Sequence, residues 1–203
     1  MATPYTQQFL DNRPDEELIN DYLKGDEAAL PALVNRYLKT IYNFCYRMIG
    51  NAQDAEDAAQ ETFVKTWRHL KKYRRGRNFR TWLFAIARNT AIDLLRKKKL
   101  PVFSDFSRAD ADADNDNPLL NTLVDEYPLP DEMMLRHADK NKLEDLLQKL
   151  PPRYREVLLL YYNHDITFEE IGIILNKPLN TVKSRHRRGL IALRKLLQNT
   201  DKI

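Results

Sequence analysis

The stretch ITFEEIGIILNKPLNTVKSRHRRGLIALRKLL, Ile166 to Leu197, decides the fold. Thr167, with Glu170 three residues on, makes a capping box for a short apolar helix over Phe168–Leu175. Asn176 to Leu179, with Pro178, reads as a turn. Asn180 is placed to cap a last helix from Thr181 to about Gln198. A short helix, a tight turn and a longer basic helix make a helix-turn-helix. In that motif the second helix lies in the major groove of DNA and its first residues reach base edges. Val182, Gly189, Leu190 and Leu193 hold the helix to its domain, while Thr181, Lys183, Ser184, Arg187 and Arg188 face outward or sideways. Arginine pairs bidentately with guanine, for about 1–3 kcal/mol of discrimination per good pair. His186 follows Val182 by one helical turn and faces inward. No second ligand stands near it, so a partly buried, hydrogen-bonded imidazole is expected there rather than a metal ligand.

Working upstream, Pro151 and Pro152 break the chain, and Pro152 can open a helix at its first position. That helix reaches about Asn163, with Tyr154, Val157, Leu158 and Tyr161 inward. Before it, Asp131 is placed to cap a helix to Leu150, with Leu143, Leu146, Leu147 and Leu150 inward. Residues 131–203 thus form one domain. Residues 101–130 have no helical period and carry Asp, Asn, Pro118, Pro128 and Pro130, the composition of a flexible acidic linker. Their aspartates do not make a calcium loop: counted from Asp110, Asn115 falls where Gly is needed and Asn121 where Glu is needed.

Residues 1–100 form the other domain. Asp15 to Lys24 reads as a short helix ended by Gly25. Asp26 can cap a second helix to about Ile49, with Leu30, Leu33, Tyr37, Ile41, Phe44 and Met48 as its apolar stripe. A third, from about Ala52 to Leu70, buries Ala55, Ala59, Phe63, Thr66, Trp67 and Leu70. Asp54, Asp57 and Glu61 point the other way, on an outward face that continues through Gln60, Val64 and Arg68. A basic loop, Lys71 to Asn78, follows. Asn78 can cap a fourth helix, Phe79 to about Lys98, which is apolar on nearly every side and reads as a central bundle element.

The net charge of +4 hides a strong asymmetry. Lys65 to Lys99 holds thirteen Lys and Arg against one acid, and Lys177 to Lys195 holds seven against none. The intervening Pro101 to Ala138 holds nine acids and two bases. Two basic blocks separated by an acidic segment suggest two contacts with a polyanion. Aromatics lie within the first block: Trp67, Tyr73, Phe79, Trp82 and Phe84. Charge that tracks phosphates together with rings that stack on unpaired bases suits single-stranded nucleic acid. Phe63, Trp67 and Phe84 fit the core better, whereas Tyr73 and Phe79, at the loop edges, fit either role. Cys45 is the only cysteine, at helical spacing from Ile41, Met48 and Ile49, and is read as a core residue in a reducing compartment. No run is apolar enough to span a membrane, and the first ten residues lack the pattern of a secretory signal. No nucleophile elbow, phosphate-binding glycine loop or paired-histidine zinc motif occurs, so neither a catalytic residue, a metal nor a cofactor is expected.

The segments DAEDAAQETFVKTW (Asp54–Trp67) and FRTWLFAIARNTAIDLLRKKK (Phe79–Lys99) resemble region 2 of the extracytoplasmic-function sigma factors of the sigma-70 family. LPPRYREVLLLYY (Leu150–Tyr162) and the stretch from Ile166 to Leu197 resemble their region 4. The resemblance implies an all-α protein of two helical domains and a non-enzymatic role in transcription initiation. It implies that Asp54, Asp57, Gln60, Glu61 and Val64 dock on the clamp of the RNA polymerase largest subunit. Tyr73, Arg74, Arg77, Asn78, Phe79, Trp82, Arg88, Asn89 and Arg96 would then meet the melted −10 strand. Asn180, Thr181, Lys183, Ser184, Arg185, Arg187 and Arg188 would read the −35 duplex, and the same domain would meet the polymerase flap. An anti-sigma factor, a cytoplasmic location and a monomeric free state are further implications. The loop has Gly76 and Arg77 where the family often carries an acid. His186 stands where it usually has an aliphatic residue, so His186→Leu is expected to raise the melting temperature. Three other readings remain at this level: a dimeric helix-turn-helix regulator, a magnesium enzyme using Asp57 and Glu61, and an inhibitor that binds polymerase without supporting initiation.

Overall fold

The computed structural model describes residues 12–73, 78–99 and 140–200. The acidic segment 101–130, the proposed cap Asp131, and Arg74 and Arg77 of the basic loop lie outside the described residues. The chain falls into two compact units, the first reaching Ala91 and the second containing the C-terminal helices. Every regular element among the described residues is helical.

Helix α1 spans Asp15–Leu23, α2 Ala29–Ile49, α3 Ala52–His69 and α4 Phe79–Lys99, and the first unit holds α1, α3, α2 as far as Tyr46 and α4 as far as Ala91. Gly25 takes a φ of +104° after α1, with its N–H bonded to Tyr22 O and that of Asp26 to Asp21 O. This is the paired closure by which a left-handed residue satisfies the last carbonyls of a helix. Asp26 stands a turn earlier than expected: its carboxylate accepts from Ala28 N at 3.0 Å, and α2 begins only at Ala29. Asn51 caps α3 through Asp54 N, and Asn78 accepts from Thr81 N at the start of α4.

The core joins Ile41, Phe44 and Cys45 of α2, Ala55, Ala58 and Ala59 of α3, and Leu83, Phe84, Ala87 and Ala91 of α4. Three alanines in five residues let α3 lie close to its neighbours. Thr62 and Thr66, buried on the same face, bond back to the carbonyls of Ala58 and Thr62, which is how a hydroxyl is tolerated inside a helical core. Burial pushes the Cys45 thiol up to about 12, so it is a small apolar group at neutral pH. Trp67 departs from the expected core face: it is 55% exposed. Helix α4 is less enclosed than its composition suggests, since Trp82, Ile86, Ile92, Leu94 and Leu95 are only half-buried.

The second unit contains α5 (Lys140–Lys149), α6 (Pro152–Leu158), α7 (Phe168–Leu175) and α8 (Leu179–Thr200). Pro152 opens α6 at its first turn, as expected. Helix α6 then widens into a π turn over Leu159–Asn163, which periodicity does not reveal. Leu146, Leu147 and Leu150 pack with Val157 to Leu160, Ile171, Ile174 and Leu175, Val182, Leu190 and Leu193 in one apolar core.

Candidate nucleic-acid interface

The helix-turn-helix is built by local rules. Thr167 and Glu170 form both halves of the capping box, with Glu170 N 3.3 Å from the Thr167 hydroxyl and Thr167 N 3.1 Å from the Glu170 carboxylate. At the other end Asn176 takes φ +51°, its N–H bonds Ile173 O, and Lys177 N bonds Gly172 O at 3.0 Å. That closure sets the turn, and a Cβ on Gly172 would stand 3.0 Å from the Lys177 carbonyl oxygen. Helix α8 starts at Leu179, two residues before the sequence suggests, because Val182 N bonds Pro178 O. Asn180 is therefore not a cap but an exposed residue of the first turn. Gly189 lets α8 cross close to α6: a Cβ there would meet Leu158 at 3.2 Å and Tyr154 at 3.3 Å.

With Val182 inward, the helical period places Asn180, Ser184, Arg187 and Arg188 on the opposite side of α8 and Thr181 and Lys183 on its flanks. Asn180 and Lys183 are exposed, and Thr181, Ser184, Arg187 and Arg188 are half-buried. Arg185 differs from this set. Its guanidinium lies 3.3 Å from the Glu156 carboxylate, with side-chain exposures of 12% and 1%. Beside it, Arg155 donates to Gln148 Oε1 at 2.7 Å and to Leu150 O at 2.9 Å, tying the α5–α6 corner together. Burial lowers the Arg155 pKa to about 10, leaving it charged at neutral pH. Neither Arg155 nor Glu156 announces itself in the sequence, where they read as two more surface charges.

His186 sits among rings. Tyr161 and Phe168 stand edge-on to it, each 5.0 Å between centroids, and Tyr162 stacks at 5.5 Å. Leucine would fill the space but lose these contacts, which contribute beyond their area. The structure thus reverses the sign of the earlier expectation: His186→Leu should lower the melting temperature of the second unit by several degrees, read by calorimetry.

A second candidate site lies at the start of α4. Tyr73, Phe79 and Trp82 form a triangle with centroid separations of 5.7, 5.4 and 5.8 Å. Phe79 is buried, which settles it as core support, while Tyr73 and Trp82 are half-buried. Burial raises the Tyr73 pKa, aided by the charges of Glu16 and Asp15. Trp82, Asn89 and Arg96 recur every seven residues and so share one face of α4 over about 21 Å. Arg88 donates to Asn89 Oδ1 at 3.1 Å, and Asn78 caps the helix below the loop.

The third face belongs to α3. Asp57, Gln60, Glu61, Val64, Trp67 and Arg68 are all exposed on one side, with Asp54 half-buried at its start. Val64 is 40% exposed, and the Trp67 indole N–H donates to the Tyr22 hydroxyl. No group of metal-ligating side chains occurs among the described residues, so Asp57 and Glu61 do not assemble a metal site there. No described helix is long and apolar enough to cross a membrane.

Comparison with known proteins decides the identity. Sigma-70 region 2 matches residues 33–100, and Sigma-70 region 4 matches residues 140–193. The ECF RNA polymerase sigma factor SigW of Bacillus subtilis is 38% identical over 181 residues, covering 89% of this chain and 95% of that protein. The chain belongs to the extracytoplasmic-function sigma factors of the sigma-70 family. The RNA polymerase sigma-H factor of Pseudomonas aeruginosa is 32% identical, covering 94% of this chain and 97% of its own. The fold is similar to that of CnrH in complex with the cytosolic domain of CnrY (TM-score 0.63, 24% identity, 91% of this chain and 97% of that one). It is also similar to the sigma factor RpoE in complex with the anti-sigma factor NepR from Bartonella quintana (TM-score 0.58, 21% identity, 81% and 94%).

In sigma-factor terms, region 2 contains the aromatic triangle and the α3 face, and region 4 contains the helix-turn-helix. The relatives are sigma factors. The signal that could have exposed Trp67 was its place in the outward series: it follows Val64 by three residues and precedes Arg68. Its size argued for the core and outweighed that series.

Proposed function

We propose that this sigma factor carries core RNA polymerase to promoters by three contacts. The outward face of region 4, Asn180, Thr181, Lys183, Ser184, Arg187 and Arg188, reads the −35 duplex in the major groove. Arg185 is better assigned to holding that helix through Glu156 than to DNA. Tyr73 and Trp82, backed by Phe79, receive an unpaired base of the −10 strand, with Asn78, Arg88, Asn89 and Arg96 following its backbone and Arg74 and Arg77 in the same loop. The mechanism is binding: capturing the separated strand offsets a cost of a few kcal/mol per unstacked base. The observation that carries the reading is the single face shared by Trp82, Asn89 and Arg96, beginning at the Tyr73 ring. It combines a stacking platform with polar and cationic groups along a strand-sized length.

The α3 face, Asp54, Asp57, Gln60, Glu61 and Val64, would dock on the polymerase clamp, and the exposed Trp67 extends it. Exposed tryptophans at interface centres typically cost 2 kcal/mol or more on truncation. Trp67→Ala should therefore weaken binding to core polymerase by about thirtyfold, while the melting temperature changes little. Titration of labelled protein with core measures this, and unchanged affinity would remove Trp67 from the interface. An open cleft of about 550 Å³ in region 4, lined by Leu143, Leu147, Leu158, Tyr161 and Leu193 among others, suits an apolar segment of a protein partner such as the flap or an anti-sigma factor. Residues 1–100, 101–130 and 131–203 would serve as polymerase and −10 domain, connector and −35 domain.

Run-off transcription from genomic fragments by core polymerase, with and without this chain, tests the whole. New discrete transcripts establish promoter-directed initiation. Stable binding to core without transcripts would mark an inhibitor, and duplex binding without any affinity for core would mark a free-standing regulator.

A further inference from the structure

Behind the Tyr73–Trp82 pair lie a hydrogen-bonded carboxylate and phenol, Asp15 and Tyr37. Asp15, at the first turn of α1, accepts a hydrogen bond from the Tyr37 hydroxyl at 2.5 Å and is paired with Arg36. Arg36 also donates to Arg13 O at 2.6 Å, so the start of α1 is clamped onto α2. The Tyr37 ring stands edge-on to Phe79, 5.7 Å between centroids. Phe79 in turn touches both Tyr73 and Trp82. A continuous series therefore runs from one carboxylate, through a fixed phenol and a buried ring, to the two half-exposed rings at the loop edge.

We propose that Asp15 and Tyr37 are positioning residues for strand capture: the carboxylate orients the Tyr37 ring, and that ring holds Phe79 and hence the Tyr73–Trp82 platform ready for an unpaired base. The inference rests on the reading of Tyr73 and Trp82 as that platform. Its physical basis is preorganisation. An aromatic side chain that must be immobilised on binding costs affinity, and one already held by its neighbours does not. The Tyr73 N–H bonds Leu70 O at the end of a 3-10 turn, Leu70–Lys72, and its ring rests on Phe79 and Trp82. Burial raises the Tyr73 pKa, and the Glu16 and Asp15 charges at the start of α1 add to it.

The test uses holoenzyme assembled from core polymerase and the full chain. The probe is a promoter fragment from the run-off experiment, carrying the −35 duplex and an unpaired −10 strand. A duplex bearing only the −35 half is the control. Edge-to-face ring contacts are worth a factor of about two to ten each, so Tyr37→Leu should weaken binding of the forked probe by about tenfold, and Asp15→Ala, which removes the hydrogen bond but no ring, by about threefold. Tyr37→Phe keeps the ring and loses the hydrogen bond, and should cost about threefold. Affinity for core and for the −35 duplex should stay unchanged in all three. If the variants lower the melting temperature yet bind the forked probe like the parent, Asp15 and Tyr37 only stabilise the fold and the inference is overturned. Should Tyr37→Leu fail to fold, Tyr37→Phe and Asp15→Asn decide by the same comparison. Tyr73→Ala and Trp82→Ala are measured alongside. Loss of fork binding in these two, with none in the Asp15 and Tyr37 variants, overturns the positioning role alone. No loss in any of them overturns the platform itself.

Discussion

Replacing Glu156 by alanine should destabilise region 4 by about 3–5 kcal/mol, the usual cost of leaving one member of a buried ion pair without its partner. The carboxylate is 1% exposed and faces the Arg185 guanidinium at 3.3 Å, which itself is 12% exposed. Removing the acid leaves a cation that water reaches poorly. The pair is not expected to be worth that much in itself, because both charges were desolvated to form it. The double replacement Glu156→Leu with Arg185→Met should therefore recover most of the loss. Both tryptophans, Trp67 and Trp82, lie in the first unit, so their fluorescence reports that unit alone. Urea unfolding followed by tryptophan fluorescence and by far-ultraviolet circular dichroism should separate the two transitions and shift only the second. A cost below about 1 kcal/mol would mean the pair is solvated as surface pairs are. The functional consequence follows from position. Arg185 stands between Ser184 and Arg187 on α8, so loosening its anchor should weaken −35 binding although Glu156 lies on another helix.

The joint change Arg187→Ala and Arg188→Ala should reduce run-off transcription by about a hundredfold or more, since two arginine contacts to bases are together worth several kcal/mol. Both residues sit opposite Val182 on α8, the side proposed to meet the DNA groove. The stability cost should be smaller than that of the Glu156 variant, because both residues are half-buried rather than buried and stand outside the Glu156–Arg185 pair. The salt dependence of promoter binding adds a second reading. If either arginine contacts phosphate rather than base, its loss weakens all sequences alike and lowers the slope of log affinity against log salt by about one. If both read bases, the slope holds and discrimination between promoters falls. Full transcription by the double variant would exclude this face of α8 from promoter recognition.

Much of this was legible before any coordinates. The capping box at Thr167 and Glu170, the turn after Leu175, Pro152 at a helix start and the Asn78 cap are local devices. They depend on residues within four positions of each other, so the sequence states them directly. The outward series on α3 and the apolar stripe on α2 are equally local, because helical period alone sorts them. The π turn at Leu159–Asn163 and the early start of α8 were not legible. The first is a local widening that leaves the apolar period intact, and the second turns on one backbone bond, Val182 N to Pro178 O, that no side chain announces.

Periodicity and spacing by themselves determined the helical class and the order of two helical regions, and the wording of their motifs carried the resemblance to the family. The tertiary structure decided what each face meets. Arg185 reads as one more basic residue of a DNA helix until Glu156, 29 residues earlier, is seen beneath it. Trp67 reads as core until its face of α3 is seen to be uncovered. Phe79 reads as a loop-edge ring until it is seen to be buried, with Tyr37 edge-on to it. A helix shows in its sequence which side is apolar and which is charged. Whether a given side is buried, paired or open depends on a neighbour brought there by the chain's long-range packing, and no local pattern records that neighbour.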